Sequence, residues 1–70
     1  MFIYTRHAIE KIDTLGIDKR DVENAIKKGM KWKESNSEKW HAQMAGIEAV
    51  FMKHEKNIFI ITAYFAGRSK

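Results

Sequence analysis

The stretch Tyr4-Thr5-Arg6-His7-Ala8-Ile9 decides how this chain is read, because an apolar run turns into a helix across it. Thr5 is a good N-cap, since its hydroxyl can accept a hydrogen bond from an amide of the first turn. Behind it, Ala8, Ile9, Ile12 and Leu15 recur at helical spacing, which predicts a helix from Arg6 to about Leu15. Gly16 suits the left-handed position that stops it. In front of it, Phe2-Ile3-Tyr4 reads as a short strand. Arg6 and His7 stand where the helix dipole favours anions. Cationic groups placed there bond elsewhere, are solvated, or help to hold an anionic ligand.

Working outward, Asp18 repeats the capping device for a second helix with the buried stripe Val22, Ala25 and Ile26. Lys27 and Lys28 fall in its last turn, where cations are favoured, and Gly29 ends it. From Met30 the period changes from 3.6 to 2. Met30 and Trp32 alternate with Lys31 and Lys33, and Trp40, Ala42 and Met44 alternate with Lys39, His41 and Gln43. For the turn between them, an odd-numbered loop or a bulge keeps Trp32 and Trp40 on one face, and that register is expected over the one pairing Trp32 with His41. A turn at Ala45-Gly46 sets Met44 by Ile47, Ala42 by Ala49 and Trp40 by Phe51. A second turn at 54–57 sets Phe51 by Ile60, Val50 by Ile61, Ala49 by Thr62 and Ile47 by Tyr64. The run from Ile58 to Phe65 is apolar on both faces and reads as a central strand. Gly67-Arg68-Ser69-Lys70 reads as a frayed basic tail. The expected fold is α+β in the order β-α-α-β-β-β-β, with two helices on one face of a four- to five-stranded, mainly antiparallel sheet.

Seventy residues are enough for one domain over 1–70 and one thin core. The chain has no cysteine, so disulfides and thiolate metal ligands are excluded. No apolar run approaches membrane-spanning length, and the start lacks the layout of a secretory signal, so the cytoplasm is the expected compartment. The net charge of +4 favours phosphate-bearing or acidic partners. His7, His41 and His54 show no ligand spacing, so no metal is expected, and no glycine-rich phosphate loop or other cofactor motif is present. His41 shares a polar strand face with Lys39, Gln43 and Glu48, where it is solvated or faces a polyanion. The lysines around Trp32 and Trp40 either guard a sheet edge or track a nucleic-acid backbone.

The run His7-Ala8-Ile9-Glu10-Lys11-Ile12, then Gly16-Ile17 and Val22, and the closing Ile61-Thr62-Ala63-Tyr64, resembles a family of small uncharacterised domains. These open with Thr-x-His-Ala and close with Thr-x-Tyr, and the family resembles the RelE/ParE-type toxin fold, grouped with barnase-like and colicin-type ribonucleases. The pattern carries arginine where this chain has Lys11 and Leu15. The resemblance implies metal-independent RNA cleavage, in which the ribose 2′-hydroxyl attacks the adjacent phosphate. It makes His7 the candidate acid/base, and Thr62 and Tyr64 the groups that position or protonate the phosphate. Arg6, Lys11, Lys31, Lys33, His41 and Arg68 are the candidate RNA contacts. The competing expectations are a non-enzymatic module that binds an antitoxin-like protein, a second copy or nucleic acid, and a small structural homodimer that buries Trp32 or Trp40 in its interface.

Overall fold

The computed structural model describes residues 1–66, so the basic tail with Arg68 lies outside the described residues. The elements run β1 (Phe2–Tyr4), α1 (Arg6–Leu15), α2 (Lys19–Lys28), β2 (Met30–Lys33), β3 (Trp40–Met44), β4 (Ile47–His54) and β5 (Asn57–Phe65). The result is an α+β domain with a five-stranded mixed sheet in the order β1-β5-β4-β3-β2. Among the described residues only β1 and β5 pair in parallel, and β1 on one side with β4 on the other places the doubly apolar β5 inside the sheet. Both helices pack on one face. Ala8 and Ile12 from α1, Val22, Ala25 and Ile26 from α2, and Ile17 between them meet Ala42, Ala49, Phe51, Ile60 and Ala63. No helix among the described residues is long and apolar enough to cross a membrane.

Local chemistry sets the ends of the helices. Thr5 Oγ1 accepts from the Ala8 amide at 3.1 Å, and Asp18 accepts from the Arg20 amide at 2.8 Å. Gly16 closes α1 in the left-handed region at φ 71°. Gly29 closes α2 for a different reason. Its backbone is extended, but a Cβ there would lie 2.5 Å from the Gln43 carbonyl oxygen and 2.6 Å from that of Ala25. Close approach of β3 to the end of α2 therefore requires a residue without a side chain.

Two strand registers differ from expectation, and both differences matter. The first hairpin has an even count. Glu34 N–H donates to the Lys39 carbonyl at 3.0 Å, which leaves a four-residue loop that reverses through Asn36 at φ 57°. Trp32 therefore pairs with His41 and leaves the helix face to Trp40, while Lys31 and Lys33 share the helix side with Ala42 and Trp40. Tolerance of positive φ by asparagine fixed this turn, and hydrophobic matching of the two tryptophans did not.

The second difference is a bulge. The β4–β5 ladder runs as expected from His54↔Asn57 to Phe51↔Ile60, then shifts by one residue between Val50 and Phe51. Ile61 is the extra residue, so Val50 pairs with Thr62, Ala49 with Ala63, Glu48 with Tyr64 and Ile47 with Phe65. Because side chains alternate with period 2, one added residue exchanges the faces of everything after it. Ala63 falls beneath the helices, and Thr62 and Tyr64 turn to the opposite, uncovered face. A small residue suits this place, because Ala63 is fully buried. The bulge is also anchored: Thr5 N–H donates to the Ile60 carbonyl and the Thr5 hydroxyl donates to the Ile61 carbonyl, both at 3.1 Å. Thr5 thus caps α1 and ties down the bulge that aims the closing motif.

Candidate functional site

On the uncovered sheet face, four adjacent strands bring together Trp32, His41, Glu48 and Tyr64, and Glu34 joins them from just beyond β2. His41 lies directly across from Trp32, and Tyr64 directly across from Glu48. Since His41 faces Val50, Glu48 is its diagonal neighbour on one side, and Glu34 is the diagonal neighbour on the other. Long side chains reach across that spacing. Nδ1 of His41 is 2.7 Å from Oε2 of Glu48, and Nε2 is 2.6 Å from Oε2 of Glu34. The Tyr64 hydroxyl donates to the same Glu48 oxygen at 2.8 Å. The Trp32 indole stacks on the imidazole with ring centroids 5.3 Å apart and planes 8° apart.

Each ring nitrogen of His41 faces a carboxylate oxygen, and an ionised carboxylate has no proton to donate. Imidazolium, with a proton on both nitrogens, therefore satisfies the arrangement. Burial opposes that charge, but the hydrogen bonds and charges of Glu34 and Glu48 outweigh it and hold the His41 pKa above the ordinary histidine value. The bond from His41 is the main reason the Glu34 pKa lies below the usual glutamate value, and the nearby Lys39 and Ser37 add to it. Burial, followed by the Glu48 carboxylate, pushes the Tyr64 hydroxyl up to about 12, so it stays protonated and a donor.

The two carboxylates are not equivalent. The Glu48 side chain is 15% exposed and held from two sides, by His41 and Tyr64. The Glu34 side chain is 39% exposed, at the mouth of the hairpin loop, where His41 holds it at 2.6 Å and Lys39 and Ser37 lie near it. Glu48 therefore orients the ring, and Glu34 is placed to move away from it. This is an acid–base unit with one fixed side and one open side.

Of the residues expected from sequence, the structure brings His41 and Tyr64 together and sets Thr62 beside them, across from Val50. It places Arg6, His7 and Lys11 exposed on α1, whose buried residues pack on the other face of the sheet. His7 and Lys11 line a shallow groove there with Glu10 and Thr14. Lys31 and Lys33 are exposed on the helix side of β2, and Lys31 Nζ donates to the Gly29 carbonyl at 3.0 Å. Sequence reasoning missed Glu34, Glu48 and the role of Trp32. The signal was present: an even first loop and a turn at Ala45-Gly46 set Glu34 and Glu48 on opposite diagonals of His41. A broader depression of about 630 Å³ lies between α1 and the start of α2, lined by Ile9, Ile12, Asp13, Ile17 and Lys19 among others. Among the residues lining it there is neither a histidine nor a tyrosine. Among the described residues no cluster of three or more histidine, aspartate or glutamate side chains is arranged to hold a metal ion.

Residues 4–65 match the family described as "Domain of unknown function (DUF4258)", and the chain belongs to that family. No curated protein and no solved structure matches it.

Proposed function

We propose that this DUF4258 domain is a toxin-like, metal-independent ribonuclease whose acid–base pair is His41 and Glu34. The observation that carries the proposal is an imidazolium held at Nδ1 by a fixed carboxylate and facing a displaceable carboxylate at Nε2. Cleavage of RNA by its own 2′-hydroxyl needs one group to take a proton and another to give one. Glu34 takes the 2′-hydroxyl proton as that oxygen bonds to phosphorus. The bond from phosphorus to the 5′-oxygen breaks, and that oxygen receives the Nε2 proton of His41. The products are a 2′,3′-cyclic phosphate and a 5′-hydroxyl. Return of the proton from Glu34 to Nε2, across their resting contact, restores the starting state. Glu48 keeps the ring oriented, and the Tyr64 hydroxyl keeps Glu48 oriented.

RNA as the substrate is supported by the partly exposed Trp32 ring beside His41, which offers a base a stacking surface. Lys39 beside Glu34, the exposed Lys31 and Lys33 on the neighbouring edge, and the net charge of +4 favour a polyanion. A second reading rests on a different observation. Ile3, Met52 and Phe59, each partly exposed, form an apolar half of the same face around the buried Val50, which suits a protein partner or a second copy.

The test is RNA integrity in a cell-free translation extract, followed by naked RNA in the presence of a chelator. Wild type and His7→Ala are expected to cleave, and His41→Gln and Glu34→Gln to lose cleavage by about 10²-fold or more. Equal cleavage by wild type and His41→Gln overturns the assignment. Intact RNA together with a concentration-dependent dimer favours the second reading.

A further inference from the structure

We propose that Oε2 of Glu34 occupies a phosphate-binding position on Nε2 of His41, so that the resting chain carries its own carboxylate as a stand-in for the anion of its ligand. The ligand class is a phosphodiester next to a planar base. This inference rests on the reading of His41 as the group that meets the substrate, and adds that the site is closed until Glu34 is displaced.

An imidazolium N–H holds one anion at a time. It has a single donor direction, and at Nε2 that direction is filled by one carboxylate oxygen at 2.6 Å. A phosphate oxygen can make the same charge-assisted bond, but not at the same time. The ring cannot turn to offer another nitrogen, because Nδ1 is held by Glu48 and the flat side is covered by Trp32. Entry of a phosphate therefore requires Glu34 to leave. Glu34 can do so: its side chain is 39% exposed, and it lies outside β2, at the start of the loop that reverses through Asn36. Glu48 cannot be the one displaced, since it is 15% exposed and also accepts from Tyr64. The asymmetry of the two carboxylates thus identifies Nε2 as the ligand side. The surroundings fit the ligand class as well. Lys39, whose charge acts on Glu34, remains beside the position after exchange, and Trp32 offers the ring on which a neighbouring base can stack.

Displacement has a measurable consequence. If the Glu34-bound state dominates at rest, the apparent affinity for the ligand is reduced by the fraction of molecules that are open. With roughly one molecule in ten open, removing the Glu34 charge tightens binding about tenfold.

The experiment titrates a deoxyadenosine dinucleotide, a phosphodiester without the 2′-hydroxyl and so not cleavable, into ¹⁵N-labelled protein while the ring nitrogens of His41 are followed. A pH of about 5, well below the ordinary histidine value of about 6.5, favours the imidazolium in the variants and leaves Glu34 ionised in the wild type. Glu34→Gln is expected to bind about tenfold more tightly than wild type. Glu38→Gln, which removes one negative charge from the same turn, is expected to change binding by less than about twofold, in line with a screened surface charge. His41→Gln is expected to lose saturable binding. Glu34→Ala, which leaves no amide to occupy the position, is expected to bind at least as tightly as Glu34→Gln. Equal affinity in Glu34→Gln and wild type overturns the proposal, as does an equal gain in Glu38→Gln or a response centred on His7. Failure of the ribonuclease reading has a different signature, with RNA left intact while Glu34→Gln still tightens the dinucleotide.

Discussion

Replacing Thr5 with alanine removes two hydrogen bonds made by one oxygen, and the structure lets the cost be worked out. The first is the cap on α1, where Oγ1 accepts from the Ala8 amide at 3.1 Å. Loss of such a cap costs about 1 kcal/mol. The second is the hydroxyl's donation to the Ile61 carbonyl at 3.1 Å, at the extra residue of the β5 bulge. A half-buried neutral hydrogen bond contributes about 1 kcal/mol more. The sum is about 2 kcal/mol, and for a domain of this length each 1 kcal/mol lowers Tm by roughly 4–8 °C. Thr5→Ala is therefore expected to melt about 8–16 °C below wild type. Thr5→Ser keeps the oxygen and loses only a methyl group, so its cost should stay near 0.5 kcal/mol. Circular dichroism melts and urea titrations measure both. A Thr5→Ala protein within about 0.5 kcal/mol of wild type, or a Thr5→Ser protein as unstable as Thr5→Ala, would refute the double role.

Other expectations follow from the same geometry. Since the His41 pKa is raised on folding, its contribution to stability is complete below the ordinary histidine value and is lost as pH rises through the folded value. The lowered Glu34 pKa works in the opposite sense: its contribution is present above the ordinary glutamate value and is lost as pH falls through the folded one. Melting against pH should thus show a fall on the alkaline side of about 6.5 that His41→Gln abolishes. Gly29→Ala drives a Cβ into the Gln43 and Ala25 carbonyls and should cost about 1–3 kcal/mol in urea titration, or prevent folding. Ala45 sits at φ 54° ahead of Gly46 at φ 78°, an arrangement that asparagine adopts more readily than alanine. Ala45→Asn should raise stability by about 0.5–1 kcal/mol in the same assay.

The helices were legible in the sequence because their signals are local. Thr5, Asp18, Gly16 and the stripe from Val22 to Ile26 each act within one turn of the chain, and each appears where its chemistry places it. The Ala45-Gly46 hairpin was legible for the same reason, down to Trp40 opposite Phe51. The candidate site was legible only in part, in His41 and Tyr64, since their meeting depends on registers that two small backbone features decide. Asn36 at positive φ makes the first loop even and puts Trp32 against His41. Ile61, an apolar residue in an apolar strand, carries no composition signal of a bulge, yet it turns Tyr64 out to Glu48. Unbulged pairing sends Tyr64 under the helices and leaves Glu48 without its hydroxyl partner. Attention then falls on His7, whose place in the opening motif stands out, although that motif bears on the open face through Thr5, which holds the β5 bulge.

The central claim is that His41 and Glu34 pass protons during attack by a ribose 2′-hydroxyl, and the chemistry of the cleaved ends tests it most directly. An oligoribonucleotide cut by the pure protein in chelator should yield a 2′,3′-cyclic phosphate and a 5′-hydroxyl. The same oligonucleotide should survive when the nucleotide 5′ to the cut lacks its 2′-hydroxyl, and when the protein carries His41→Gln. Ends bearing a 5′-phosphate, or cleavage undiminished at a 2′-deoxy position, would contradict the account.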